Sequence, residues 1–275
     1  MISKRKLISY FNKRRSSIYK NSRALQAKME SERLHDLRLD LKKLKALNDL
    51  LISTGRVRGL TYSRPLKNFF KHIGRLRTAE INLNMFREFQ YSHAGIEKDL
   101  HYLMQNEYEI LCDSREELTN ELRKLKRKLR HSIDEVKNRE AAAYCNNTLQ
   151  ELNRFYTTSP DTDQLHQSRK KIKNLIYIRK LLSQEMSKSM YMNDEYLGKL
   201  QEDIGRWHDI TIAMQLLADN KLCNELVFCM PEEEKLSILA SIRKTTASFF
   251  RSATENPNRQ LPVVNEAPSI KTSVL

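Results

Sequence analysis

An all-α fold is what this sequence predicts, on three observations: glycine and proline are scarce, apolar residues recur at helical spacing, and helix formers dominate the composition. Six glycines and six prolines serve 275 residues, whereas sheets linked by tight turns normally need more. Leu, Lys, Arg, Glu and Asn prevail, with charge interspersed among apolar positions, as in helical proteins. The length allows one large domain or two small ones and is ample for a hydrophobic core.

Leu34, Leu37, Leu41, Leu44 and Leu51 make one apolar stripe; Leu165, Ile172, Leu175, Ile178 and Leu182 make another. Ser63-Arg64-Pro65 and Ser159-Pro160-Asp161 read as helix starts. So does Pro231-Glu232-Glu233-Glu234, whose acids suit the positive end of a helix dipole. The stretch 253–275 has three prolines and little periodicity, and is expected to be a flexible tail.

Sliding the chain on itself by 131 residues aligns Leu34-His35 with Leu165-His166, Arg38 with Arg169, and Lys42 with Lys173. The same offset, without a gap, aligns Ile73-Gly74-Arg75 with Ile204-Gly205-Arg206. With only seven histidines and six glycines in the chain, this register predicts an internal duplication. Each unit, about 1–112 and 113–252, is then expected to hold four helices. The first set is 3–27, 31–53, 64–90 and 93–112; the second is 116–157, 161–187, 192–219 and 231–252. Two four-helix bundles related by a pseudo-two-fold axis follow. Gly74 and Gly205 fall inside helices, where glycine costs about 1 kcal/mol relative to alanine. A close helix crossing or a backbone approached by a ligand would each account for them, and the crossing is favoured.

Forty-nine Lys or Arg against 34 Asp or Glu leave a net charge of +15. Such a balance favours a polyanionic partner: nucleic acid, an anionic membrane surface or a phosphate polymer. The basic N-terminus lacks the apolar core of a signal peptide, and no run approaches the length of a membrane-spanning helix. Cys112, Cys145, Cys223 and Cys229 form no CxxC, so neither a disulfide framework nor a zinc site is indicated. A cytoplasmic protein with reduced thiols, no membrane partner and no cofactor is expected.

At 100° per residue, His35, Arg38, Lys42 and Lys45 occupy a sector of roughly 80° at the edge of the leucine stripe. His166, Arg169 and Lys173 repeat the arrangement, with Ile176 in place of the fourth cation. Stacked like charges repel by a few tenths of a kcal/mol per pair, so a helix shaped by stability alone would place acids there. A single such stripe is most simply a solvated face. A stripe that keeps its register through a repeat is better read as a wall for an extended anion. The histidines, rather than being satisfied groups at a helix start, would offer a ring N–H to phosphate. Metal binding is not expected, since the neighbouring cations would repel the ion. The densest basic run, Leu122 to His131, is amphipathic and reads equally as a solvated face or a second anion contact.

Leu34-His35-Asp36-Leu37-Arg38 with Lys42-Lys43-Leu44-Lys45 resembles the signature of the CHAD domain, the conserved histidine α-helical domain. Leu165-His166-Gln167-Ser168-Arg169 with Lys173 looks like its internal repeat, and Leu200 to Asp209 is similar to the family's later helix motif. The resemblance covers about residues 1–250. It implies paired four-helix bundles whose basic helices line a channel for inorganic polyphosphate, with polyphosphate granules as a further partner. Carried over residue by residue, the contacts would be His35, Arg38, Lys42, Lys45 and Arg75, with His166, Arg169, Lys173 and Arg206. Thr78 stands where the second copy has Asp209, so the walls are expected to be unequal. No residue is assigned a catalytic role: Asp36 and Asp40 beside the first stripe become Gln167 and Lys171 in the second. Nucleic acid, RNA above all, is the alternative ligand, although no aromatic stacking platform stands out.

Overall fold

The computed structural model describes residues 1–55, 62–158, 162–182, 191–220 and 225–255. Its regular elements are all α-helical: α1 (Lys4–Ala27), α2 (Ser31–Ser53), α3 (Arg64–Glu88), α4 (Ala94–Asp113) and α5 (Arg115–Ser132). Then follow α6 (Asn138–Thr157), α7 (Thr162–Arg179), α8 (Asp194–Asp219), α9 (Glu225–Thr246) and α10 (Phe249–Thr254). Side-chain caps fix several starts. The Ser3 hydroxyl accepts from the Lys6 amide at 3.3 Å, His93 Nδ1 from Ile96 at 3.3 Å, and the Asn193 carbonyl oxygen from Tyr196 at 3.0 Å. Pro65 sits in the first turn of α3, where its missing N–H costs nothing.

The break expected from the register near residues 29–31 is there, between Ala27 and Ser31. With a shift of 131 residues, the starts of α2 and α4 fall on those of α7 and α9, and α3 ends where α8 ends. To each set of four a further helix is added. α5 packs on α1, α3 and α4, whereas α10 packs on α6 and α8. The stretch 116–157, expected as one helix, is therefore two. It breaks because Ile133 and Val136 turn into the core (1% and 0% exposed). Val136 exchanges backbone hydrogen bonds of 2.8 and 3.0 Å with Ile2, which ties the N-terminus to the break. Pro231 does not open a helix but lies inside α9. With nearly two turns ahead of it, it removes only one i to i−4 bond, and the packing of α9 on α8 carries the helix through. The helix expected over 161–187 ends at Arg179, and 183–190 lie outside the described residues.

Both leucine stripes are buried and merge into a single core with Phe11, Leu76, Ile204 and Phe249. A second cluster, Leu83, Phe86 and Leu100 against Ile210 and Leu217, joins the far ends of α3 and α8. Cys145 is buried and free, and burial pushes its thiol up to about 12, which leaves it unreactive. Cys112 is free as well; Cys223 and the side chain of Cys229 lie outside the described residues. Of the expected tail, residues 256–275 also lie outside, but Ala253 is buried in α10 and accepts from the Asn193 amide at 2.9 Å. Among the described residues no helix is long and apolar enough to cross a membrane.

Phe249 is fully buried, with its ring 4.9 Å from Tyr156 and 6.0 Å from Tyr196. Phe249→Ala should therefore cost about 3–5 kcal/mol, measured by urea denaturation; a change under about 1 kcal/mol would mean that α10 is not part of the core.

Candidate anion-binding site

α2 and α7 pack against each other, and each leucine stripe holds its helix in place from behind. That fixes which way the polar edge of each helix faces. His35, Arg38 and Lys42 on α2 meet His166, Arg169 and Lys173 on α7 around a cavity of about 200 Å³, which Arg77, Thr78, His208 and Asp209 complete. Every one of these side chains has a partner 131 residues away across the same cavity. A second cavity of about 300 Å³ shares Arg38, Lys42, His166, Arg169, Lys173 and Tyr177 with the first and adds Lys45, Lys170, Phe70 and Asn174. The shared residues make the two cavities one continuous basic cleft.

Each of the two glycines lies against one of the arginines. A Cβ placed on Gly205 would lie 2.7 Å from Cζ of Arg169, and one on Gly74 would lie 3.4 Å from Nη1 of Arg38. Gly205 is what lets Arg169 lie flat across α8, which accounts for it without a helix–helix crossing or a ligand, whereas Arg38 lies over Gly74 of α3 at a distance that a methyl group would also allow. Arg169 Nε also donates to the Gln201 carbonyl at 3.0 Å, and the Arg38 guanidinium stacks over Phe70 at 5.0 Å. Both forks are thus held before any ligand arrives.

The electrostatics are those of cations crowded together, with Asp209 the one carboxylate among the lining residues. Among the described residues, no carboxylate lies within ion-pair distance of Arg38, Lys42, Arg169 or Lys173. Burial, reinforced by Arg38 and Lys173, pushes Lys42 down to about 7. Burial and Arg169 push Lys173 down to about 8. Both arginines are lowered too, chiefly by burial. His166 and His208 stack at 4.0 Å between ring centroids, tilted by 31°. Burial, helped by His208, lowers His166 to about 4, and neither Nδ1 has a hydrogen-bond partner. Two neutral rings can stack so closely; two imidazolium ions would repel. Asp209 faces these cations, but burial raises its pKa. Among the described residues no cluster of His, Cys, Asp or Glu could hold a metal ion.

The sequence profile of the CHAD domain matches residues 9–218. The chain belongs to the CHAD domain family. Its fold is similar to that in a crystal structure of the CHAD domain from the plant Ricinus communis, at 14% identity and a TM-score of 0.66 over 90% of this chain and 92% of that one. No curated protein matches it in sequence.

Of the residues carried over from the family resemblance, the CHAD fold places His35, Arg38, Lys42, Lys45, His166, Arg169 and Lys173 on the cleft. Lys45 stands at its mouth, paired with Asp49 at 2.7 Å. Arg75 and Arg206 line neither cavity. Arg75 binds the buried Glu107 at 3.0 Å. Arg206 is held by Glu234 and Glu88, whose hydrogen bonds raise its pKa. Helix phase explains why they lie off the cavities: a residue directly after the glycine points 100° away from it, whereas the third residue on returns to its face. Arg77 and His208 are those third residues, in register with each other. Lys170, also not foreseen, supplies the cation that Ile176 withholds from the α7 wall.

Two measurements follow. Gly205→Ala must expel Arg169 and should lower the melting temperature, while Gly74→Ala should leave it unchanged or raise it through helix propensity; equal losses in thermal denaturation would refute the slot at Gly205. Separately, Lys42 and Lys173 have folded pKa values below the ordinary lysine value of 10.5. The unfolded chain therefore binds more protons there above about pH 7, and their contribution to stability rises with pH. Between pH 7 and 9, wild-type stability in urea should climb more steeply than that of Lys42→Met/Lys173→Met.

Proposed function

We propose that this CHAD domain binds inorganic polyphosphate in the cleft between α2 and α7, without chemical turnover. The carrying observation is that Arg38, Lys42, Arg169 and Lys173 line both cavities with no carboxylate partner among the described residues. Such a cluster is costly alone and is relieved by a ligand with many closely spaced negative charges. The seated arginines offer bidentate forks to phosphoryl oxygens, while the lysines follow variable phosphate positions as mobile point charges. Two cavities with shared walls favour a linear chain over a single phosphate.

Turnover would call for a carboxylate free to act as a base. Asp40 instead binds Arg14 at 3.0 Å and lies 3.8 Å from Lys43, away from the cleft, and Asp209, the carboxylate that does line it, faces Arg169 and Lys173 and is matched on the other wall only by Thr78. RNA is less well accommodated, because Phe70 is covered by Arg38 and Tyr177 is buried.

Calorimetry should show affinity for polyphosphate rising with chain length and weak binding of pyrophosphate. Arg38→Ala/Arg169→Ala should reduce affinity for the long chain at least tenfold. Length-independent binding, or RNA displacing polyphosphate at equal phosphate concentration, would overturn the proposal.

A further inference from the structure

The charge outside the cleft is not evenly spread. α1 carries eight Lys or Arg and no acid. The run from Leu122 to His131 on α5 adds six more, again with no acid. The two helices pack together, and Arg15 on α1 lies close enough to Lys126 on α5 to lower its pKa. Among the described residues, only Arg14 on α1 and Lys124 on α5 have a carboxylate at ion-pair distance.

The outward side of this pair is basic along α1 and along α5 beyond the exposed Glu116 and Glu117 of its first turn. α1 turns Leu7, Phe11, Ile18 and Leu25 inward and exposes Arg5, Lys13, Lys20 and Arg23 among Ser9 and Ser16. α5 buries Leu118, Leu122 and Leu129 and exposes Arg123, Arg127 and Arg130. Tyr19 is 45% exposed, one helical turn from both Arg15 and Arg23.

We propose that the α1–α5 face is a second polyanion site, separate from the cleft, which binds the backbone of single-stranded nucleic acid. Arg and Lys with interleaved hydroxyls are the donors that contact phosphate and sugar. The exposed Tyr19 ring supplies a platform for a base, which polyphosphate lacks. A lipid surface fits less well, because the leucines of both helices are spent on the core and the outward face has no aliphatic side chain to insert. No residue of α1 or α5 lines either cavity of the cleft, so the two sites share no side chain.

Fluorescence anisotropy with a labelled single-stranded RNA tests the site on the full chain. Arg123→Gln/Arg127→Gln/Arg130→Gln should weaken RNA binding at least tenfold and reduce the salt slope by about 2, at roughly 0.7 per lost phosphate contact. Tyr19→Ala should weaken it about tenfold with the slope unchanged. Arg38→Ala/Arg169→Ala should leave RNA binding intact, whatever it does to polyphosphate. These exposed substitutions should keep the wild-type circular dichroism spectrum. RNA binding that survives the triple variant, that falls with the cleft variant, or that is absent while phosphatidylserine vesicles bind would overturn the assignment.

Discussion

Four like charges held together in a half-buried cleft are the constraint on which the rest of the structure depends. Arg38, Lys42, Arg169 and Lys173 would move apart if their helices could, since Arg38, Arg169 and Lys173 all lower the pKa of Lys42, and Arg169 lowers those of Arg38 and Lys173 as well. They cannot, because the opposite edges of α2 and α7 are leucine and isoleucine stripes locked into one core. Apolar burial at about 25 cal/mol per Å² offsets a repulsion that the fold keeps. The backbone contributes too: Gly205 on α8 leaves room for the Arg169 guanidinium, which a methyl group would displace.

Elsewhere the protein neutralises its cations with care. Buried Asp40 joins Arg14 of α1 to Lys43 of α2, and buried Glu107 joins α4 to Arg75 and His72 of α3. Arg206 is gripped by carboxylates of α3 and α9. Except for Lys43, which shares α2 with Asp40, the acid comes from another helix, so these pairs fix neighbours in position as well as cancelling charge. Against that habit, two regions stand out where most cations have no carboxylate at ion-pair distance among the described residues. One is concave and rigid, with seated arginines. The other, on α1 and α5, is open and spread across two helices. The difference in shape is what argues for different polyanions: a threaded phosphate chain in the first, a strand with bases in the second.

Much of this was written in the sequence, and the reason is that helices are local. The spacing of Leu34 to Leu51 and of Leu165 to Leu182 set two helices and their buried faces before any tertiary contact. The 131-residue register placed the break after α1 and singled out His35, Arg38 and Lys42 with their counterparts, all of which line one cavity. The pattern failed where the deciding partner lies far away in the chain. Ile133 and Val136 divide a long amphipathic run because Ile2 returns to pair with it. Arg75 and Arg206 look like site residues until Glu107, Glu88 and Glu234 arrive from other helices to claim them. Periodicity along one helix therefore determined which residues share a face. Only the packing of the others decided what that face meets, and so which cations are left for a ligand.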